Sequence, residues 1–127
     1  DHGRIMTADE TISWLIELTH WPKRELTRTL KPAGPRTIII RMLNNLKAIY
    51  ANEMNWSALW KVQCRLAALS PSDYAERRDL AVTAVRVDHT TSAIRLLKEL
   101  LTDCPSGDQP LLKAMLHDAE GRAHQWN

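Results

Sequence analysis

The sequence predicts an all-α fold, an array of helical hairpins, from three of its features. Between Arg36 and Pro71 the apolar residues fall at Ile39, Leu43, Leu46 and Tyr50, then at Leu59, Val62, Leu66 and Leu69. Both sets take the three-and-four step that gathers side chains on one face of an α-helix. The two sets are parted only by Asn52-Glu53-Met54-Asn55, a polar break with room for a tight turn, so the helices fold back on one another as a hairpin. A second copy follows, because Pro71 and Pro105 stand 34 residues apart and the pattern between them repeats. Val, Ile and Thr are present, but no alternating run bounded by turn dipeptides accompanies them, and no sheet is expected.

Ahead of the hairpins, Thr7-Ala8-Asp9-Glu10 reads as a capping box, the threonine hydroxyl serving the amide of Glu10 and the glutamate reaching back. A helix through about Thr19 follows, with Ile12, Leu15, Ile16 and Leu18 on its apolar side and Trp14 and Trp21 near its ends. Trp21-Pro22 terminates it, since the residue before proline is pushed out of the helical region. Lys23 to Lys31 forms a short amphipathic connector stopped by Pro32, Gly34 and Pro35, and Pro35 suits the first turn of the next helix. In the second hairpin Ser72 or Asp73 caps a helix through Val87 with Leu80, Ala84 and Val87 inward. Asp88-His89-Thr90 is the turn, and the partner helix carries Ile94, Leu97, Leu100 and Leu101. A closing helix from Gln109 to about Arg122 turns Leu112, Met115, Leu116 and Ala119 inward, with fraying expected beyond Ala123. Residues 1–34 thus form an amino-terminal helix and connector, and residues 35–127 the repeat domain with its closing helix.

A 34-residue period is that of the tetratricopeptide repeat. With Pro71 and Pro105 at the repeat's thirty-second position, the seventh is Leu46 and Leu80, the eleventh Tyr50 and Ala84, and the twenty-seventh Leu66 and Leu100. The sites that usually hold small residues match less well: the eighth is Lys47 and Ala81, the twentieth Leu59 and Ala93.

Composition narrows the function classes. At 127 residues and 44% apolar content the chain is long enough for a core and too apolar for a disordered tail. A formal charge of +2 with mixed signs lacks the basic stripe of a nucleic-acid binder. No window approaches the ~20 apolar residues of a membrane helix. Asp1-His2-Gly3-Arg4 does not begin a secretory signal, so the cytoplasm is the expected compartment. Cys64 and Cys104 are placed in the second helix of each copy, near its middle and at its end; a disulfide between them is open but nothing demands it, and buried free thiols are the expected state.

The run RMLNNLKAIY from Arg41 to Tyr50, then Asn55-Trp56, Lys61-Val62, Leu66 and Leu69-Ser70-Pro71, closely resembles a bacterial family. These are the transglutaminase-like, tetratricopeptide-containing regulators of SirC expression. Gly3-Arg4-Ile5-Met6-Thr7 resembles the segment closing that family's transglutaminase-like domain, Arg77-Arg78-Asp79 the opening of its second repeat, and Ala93-Ile94-Leu97 the helix after it. The resemblance implies that this chain corresponds to the carboxy-terminal portion of the family architecture, with the candidate catalytic Cys, His and Asp upstream of Asp1. Departures are Met54-Asn55, where the family prefers a Gly-Asp turn, and Leu59 at the usual small site.

No catalytic residue and no cofactor are expected in the chain itself. A nucleophile needs a base within hydrogen-bond reach and a third group to orient it, and neither cysteine has a histidine on a matching helix face. A zinc site needs about four ligands at workable spacing, which His2, His20, His89, His117, His124 and the two cysteines do not offer. Four glycines leave no phosphate-cradling loop. Stacked hairpins instead leave a concave face lined by the first helix of each copy. Its expected contact residues are Arg41, Asn44, Asn45 and Asn52 in the first copy, and Arg78, Asp79, Val82 and Arg86 in the second. Asparagine amides can bond an extended peptide backbone and arginines can grip a carboxylate. The expected partner is therefore a protein or peptide, or an upstream domain of the same protein. In the second case the helices brace that domain, and Trp14 and Trp21 form a bare interface through which the chain self-associates.

Overall fold

The computed structural model describes residues 34–125 together with Glu10, Ser13, Trp14 and Glu17. Five helices are complete among them: α1 (Pro35–Asn52), α2 (Trp56–Leu69), α3 (Tyr74–Arg86), α4 (Thr90–Leu101) and α5 (Gln109–Gln125). Each packs most heavily on the helices before and after it in sequence, the one-dimensional arrangement of a solenoid. Glu10, Ser13, Trp14 and Glu17 are helical where the amino-terminal helix is expected. The Thr7 cap, Trp21, the connector at 23–33 and Trp126 lie outside the described residues. Several expected boundaries move: Asn52 completes α1, α3 stops at Arg86, and α5 runs on to Gln125. Cys104 is not in a helix; α4 ends at Leu101 and the thiol sits in the turn that follows.

Local chemistry accounts for the starts and stops. Gly34 precedes α1 at φ 80, ψ 150, a conformation that L side chains rarely adopt, and Pro35 then opens the helix without wasting a donor. Asn55 caps α2 by accepting from the Ala58 amide, and Asp73 caps α3 by accepting from Ala75 and Glu76. The hairpin turns of the two copies are the same structure 34 residues apart. In the first, the amide of Asn55 donates to Tyr50 at 2.9 Å and that of Met54 to Ala51 at 3.1 Å. In the second, His89 donates to Ala84 at 2.9 Å and Asp88 to Val85 at 3.2 Å. This paired pattern is the Schellman motif, which needs a left-handed residue just past the helix. Met54 (φ 56) and Asp88 (φ 59) supply it. Aspartate tolerates that region; methionine has no polar group to help it.

The buried side chains form two clusters. The first joins Ile38, Ile39, Met42 and Leu43 of α1 to Val62 and Leu66 of α2, and Trp14 packs against it. Trp14 is therefore not the bare interface residue the sequence suggested: it is half-buried, with the Arg65 guanidinium 5.8 Å from its ring. The second cluster draws Trp60 and Cys64 from the other face of α2 to Ala81, Ala84, Ala93, Leu97 and Leu100 of the next hairpin and Leu112 of α5. His89, at the start of α4, stands edge-on to Trp60 at 4.9 Å. The spacing that found one apolar face on α2 missed this second one, because a helix wedged between neighbours is wetted on neither side.

Between the clusters lies a polar seam. Lys47 occupies the repeat's eighth position, where the second copy has Ala81, and its ammonium reaches Glu76 at 2.9 Å and Asp79 at 2.6 Å on α3. Gln63 of α2 is 0% exposed and donates from Nε2 to the Glu76 backbone oxygen at 3.1 Å and to its carboxylate at 3.3 Å. Its counterpart in the second copy is Leu97, inside the second core. The next junction is mostly apolar, with Tyr74 donating to Asp108 at 2.8 Å and Arg122 to Asp88 at 3.2 Å at its edges. The turn before α5 holds one extra residue. Asp73 accepts from Arg77 at the start of α3 and Asp108 from Leu112 at the start of α5. Leu112, Met115, Leu116 and Ala119 thus continue the first-helix pattern one residue late. The exposed residues of α5 include Lys113, His117, Asp118 and Arg122, the polar outer face of an array-closing helix.

Three outcomes follow. Met54→Gly relieves the left-handed methionine and raises stability by about 0.5–1 kcal/mol in urea unfolding, whereas Asp88→Gly gains less. Lys47→Met leaves two carboxylates partly buried without their cation and costs about 1–2 kcal/mol in the same assay. Burial lowers the Lys47 pKa, but the hydrogen bonds to Asp79 and Glu76 more than offset it and hold the pKa above the ordinary 10.5. Burial, then the bond to Asp108, pushes Tyr74 from 10.0 up to about 12. Both folded-state values exceed the unfolded ones, so the Tyr74 contribution is complete below pH 10.0 and is lost as pH rises toward about 12, and the Lys47 contribution is complete below 10.5 and is lost as pH rises past its raised value. The unfolding midpoint should fall across that window, and Tyr74→Phe should flatten part of the fall.

Candidate interaction groove

On α3, Asp79, Val82, Thr83 and Arg86 recur at the three-and-four step and share one face. Opposite them stand Lys47 and Ala51 of α1 and Trp56, Leu59 and Gln63 of α2, enclosing a cleft of about 200 Å³. Its walls are mainly apolar; the Lys47–Asp79 pair and Gln63 supply the polar groups at its base. Gln63 Oε1, buried, has no hydrogen-bond partner. Thr83 is not available as a donor there, since its hydroxyl bonds the Asp79 carbonyl at 2.7 Å.

A second cleft of about 560 Å³ opens on the other side of α3, where Val82, Val85 and Asp88 face Leu111, Met115 and Arg122 of α5. Val82 and Arg86 line both clefts, which makes them one groove across the first helices of successive copies. Leu111, 60% exposed, offers an apolar contact at its far end. Arg86 marks the middle. Its guanidinium lies 5.1 Å from the Trp56 ring centroid, a cation–π contact worth about 0.5–1 kcal/mol at an exposed site. Trp56 is placed for this by the Asn55 cap that opens α2. Among the described residues no carboxylate pairs with Arg86. Arg122, by contrast, is held by Asp88 and Asp118, each at 3.2 Å.

Of the contact residues expected from sequence, Asp79, Val82 and Arg86 line the groove. Arg78 flanks it, bonding Asp79 at 3.4 Å and lying 6.0 Å from the Tyr74 ring. Arg41, Asn44, Asn45 and Asn52 are exposed on α1 and line neither cleft; Asn44 spends its amide on the Ile40 carbonyl at 3.0 Å. Sequence reasoning missed Lys47, Trp56, Leu111, Met115 and Arg122. A lysine at a small-residue site was itself a signal, with two acidic residues a repeat later to receive it. Cys64 is buried and Cys104 half-buried, and neither is in a disulfide. Among the described residues no cluster of His, Cys, Asp or Glu could hold a metal, and no helix is long and apolar enough to cross a membrane.

Two UPF0162 proteins of Xylella fastidiosa, from strains Temecula1 and 9a5c, are 34% and 32% identical to this chain over 83 residues. Each match covers 65% of this chain and 30% of the relative, so the chain spans under a third of the length of these curated proteins. No solved structure matches it. The tetratricopeptide repeat family matches residues 46–117, more than half of the sequence. The period, the helices stacked in chain order and this match agree: the chain belongs to the tetratricopeptide repeat family.

Proposed function

We propose that the protein is a non-catalytic interaction module that lays an extended segment of a partner protein along the groove formed by α1, α3 and α5. The continuity of the two clefts through Val82 and Arg86 supports this reading most directly. A concave face lined by first helices is the surface that stacked hairpins offer a ligand. Asp79 and Arg86 are contacts within it and Arg78 flanks it, while Arg41, Asn44, Asn45 and Asn52 are further candidate contacts on the exposed side of α1, outside the two clefts. The chain's place, on this proposal, is in the carboxy-terminal part of a cytoplasmic transglutaminase-like regulator, with residues 1–34 leading from the upstream region and 35–127 forming the module. The RMLNNLKAIY run supports that context, and the greater length of the Xylella relatives is compatible with it.

Photocrosslinking tests the reading. A benzoylphenylalanine placed at Leu111 captures a partner, and one placed at Lys113 on the outer face of α5 does not. Leu111→Glu removes capture by an affinity-tagged chain while leaving the unfolding midpoint in place, because the side chain is already mostly in solvent. Where the occupant is an upstream domain of the same protein, the crosslink in the full-length protein is intramolecular. Capture from Lys113 alone contradicts the assignment.

A further inference from the structure

We infer that the groove reads an acidic residue flanked by apolar ones in its partner segment, with Arg86 as the residue that selects the carboxylate. This rests on the groove being the contact surface and adds the chemistry of what it contacts. Arg86 sits where the two clefts meet, an apolar cleft on either side of it. The other cations of the groove are occupied: Lys47 by Glu76 and Asp79, Arg122 by Asp88 and Asp118. Among the described residues Arg86 has only the Trp56 ring, which orients the guanidinium plane and takes no hydrogen bond from it in return. Its donors are thus preorganised and unspent, the arrangement that favours a bidentate carboxylate. Trp56, Leu59 and Ala51 on one side, and Val85, Leu111 and Met115 on the other, supply the apolar anchors' seats. The roughly 200 Å³ of the first cleft suits one large side chain.

A random dodecapeptide display library panned against the whole chain tests the inference. Enriched segments should carry Asp or Glu between two apolar residues. For a synthetic enriched peptide, changing that acid to its amide should weaken binding about tenfold, the scale of one charge-assisted hydrogen-bonded contact, followed by Trp fluorescence. Arg86→Gln should cause a similar loss and abolish the discrimination between the acid and amide peptides. Arg86→Glu should redirect selection toward Lys and Arg at that place. Enriched segments without an acidic residue, or an acid preference that survives Arg86→Gln, overturn the inference while leaving the groove as the contact surface. Peptides bound equally well by Leu111→Glu and wild type, or none enriched at all, count against the groove itself, and the inference falls with it.

Discussion

One lysine ammonium sets the geometry of the stack. Apolar packing joins α1 to α2, and separately joins α2, α3, α4 and α5, but α1 and α3 meet across Lys47, Glu76 and Asp79. At the corresponding position of the second copy stands Ala81, fully buried in the second cluster. The first junction thus combines apolar packing of Trp60 and Cys64 on Ala81 and Ala84 with an ion pair of three partly buried members, Gln63 holding Glu76 from below. Such a junction carries desolvation costs that the Coulombic attraction must offset. It also has directional bonds, so it fixes the placement of α1 against α3 more narrowly than sliding apolar surfaces would.

That placement makes the groove. The first cleft is floored by the seam itself, with Lys47, Gln63 and Asp79 among its lining residues. A shift of α1 relative to α3 changes its width and moves Trp56, on the helix between them, against Arg86. The second cleft lies beside a different feature, the extra residue in the turn before α5, with Leu111 and Met115 facing Val82 and Val85 across it. The groove therefore combines one polar junction and one offset apolar junction.

Much of this architecture was legible in the residues. Period, proline punctuation and apolar spacing located every complete helix to within a few residues, because a hairpin that cannot cover its own faces must advertise them in sequence. Asp73 and Asn55 cap where small polar residues cap helices in general. What escaped notice has a common physical cause. Trp60, Cys64 and Gln63 lie on the second face of α2, buried only because a neighbouring copy stacks there, and single-helix periodicity cannot register a neighbour. The groove was half seen for the same reason. Asp79, Val82 and Arg86 follow from repeat position, whereas Lys47, Trp56 and Leu111 line it through inter-helix placement. Arg41, Asn44 and Asn45 lie on the exposed face of α1, away from both clefts. The Schellman residue Met54 was visible as a departure from a Gly-Asp turn, and its positive φ shows why glycine suits that place.

If the Lys47 seam couples the two cores, native-state hydrogen exchange reports it directly. In the wild type, the amides protected by α1–α2 and those protected by α3–α5 should exchange through one common opening. In Lys47→Met the α1 amides should open alone, at a free energy lower by about the energy of the lost contacts, while α2–α5, joined through the second cluster, keep their protection. Two separate openings already present in the wild type, or uniform loss across all five helices in the variant, would contradict the seam as the element that unites the stack.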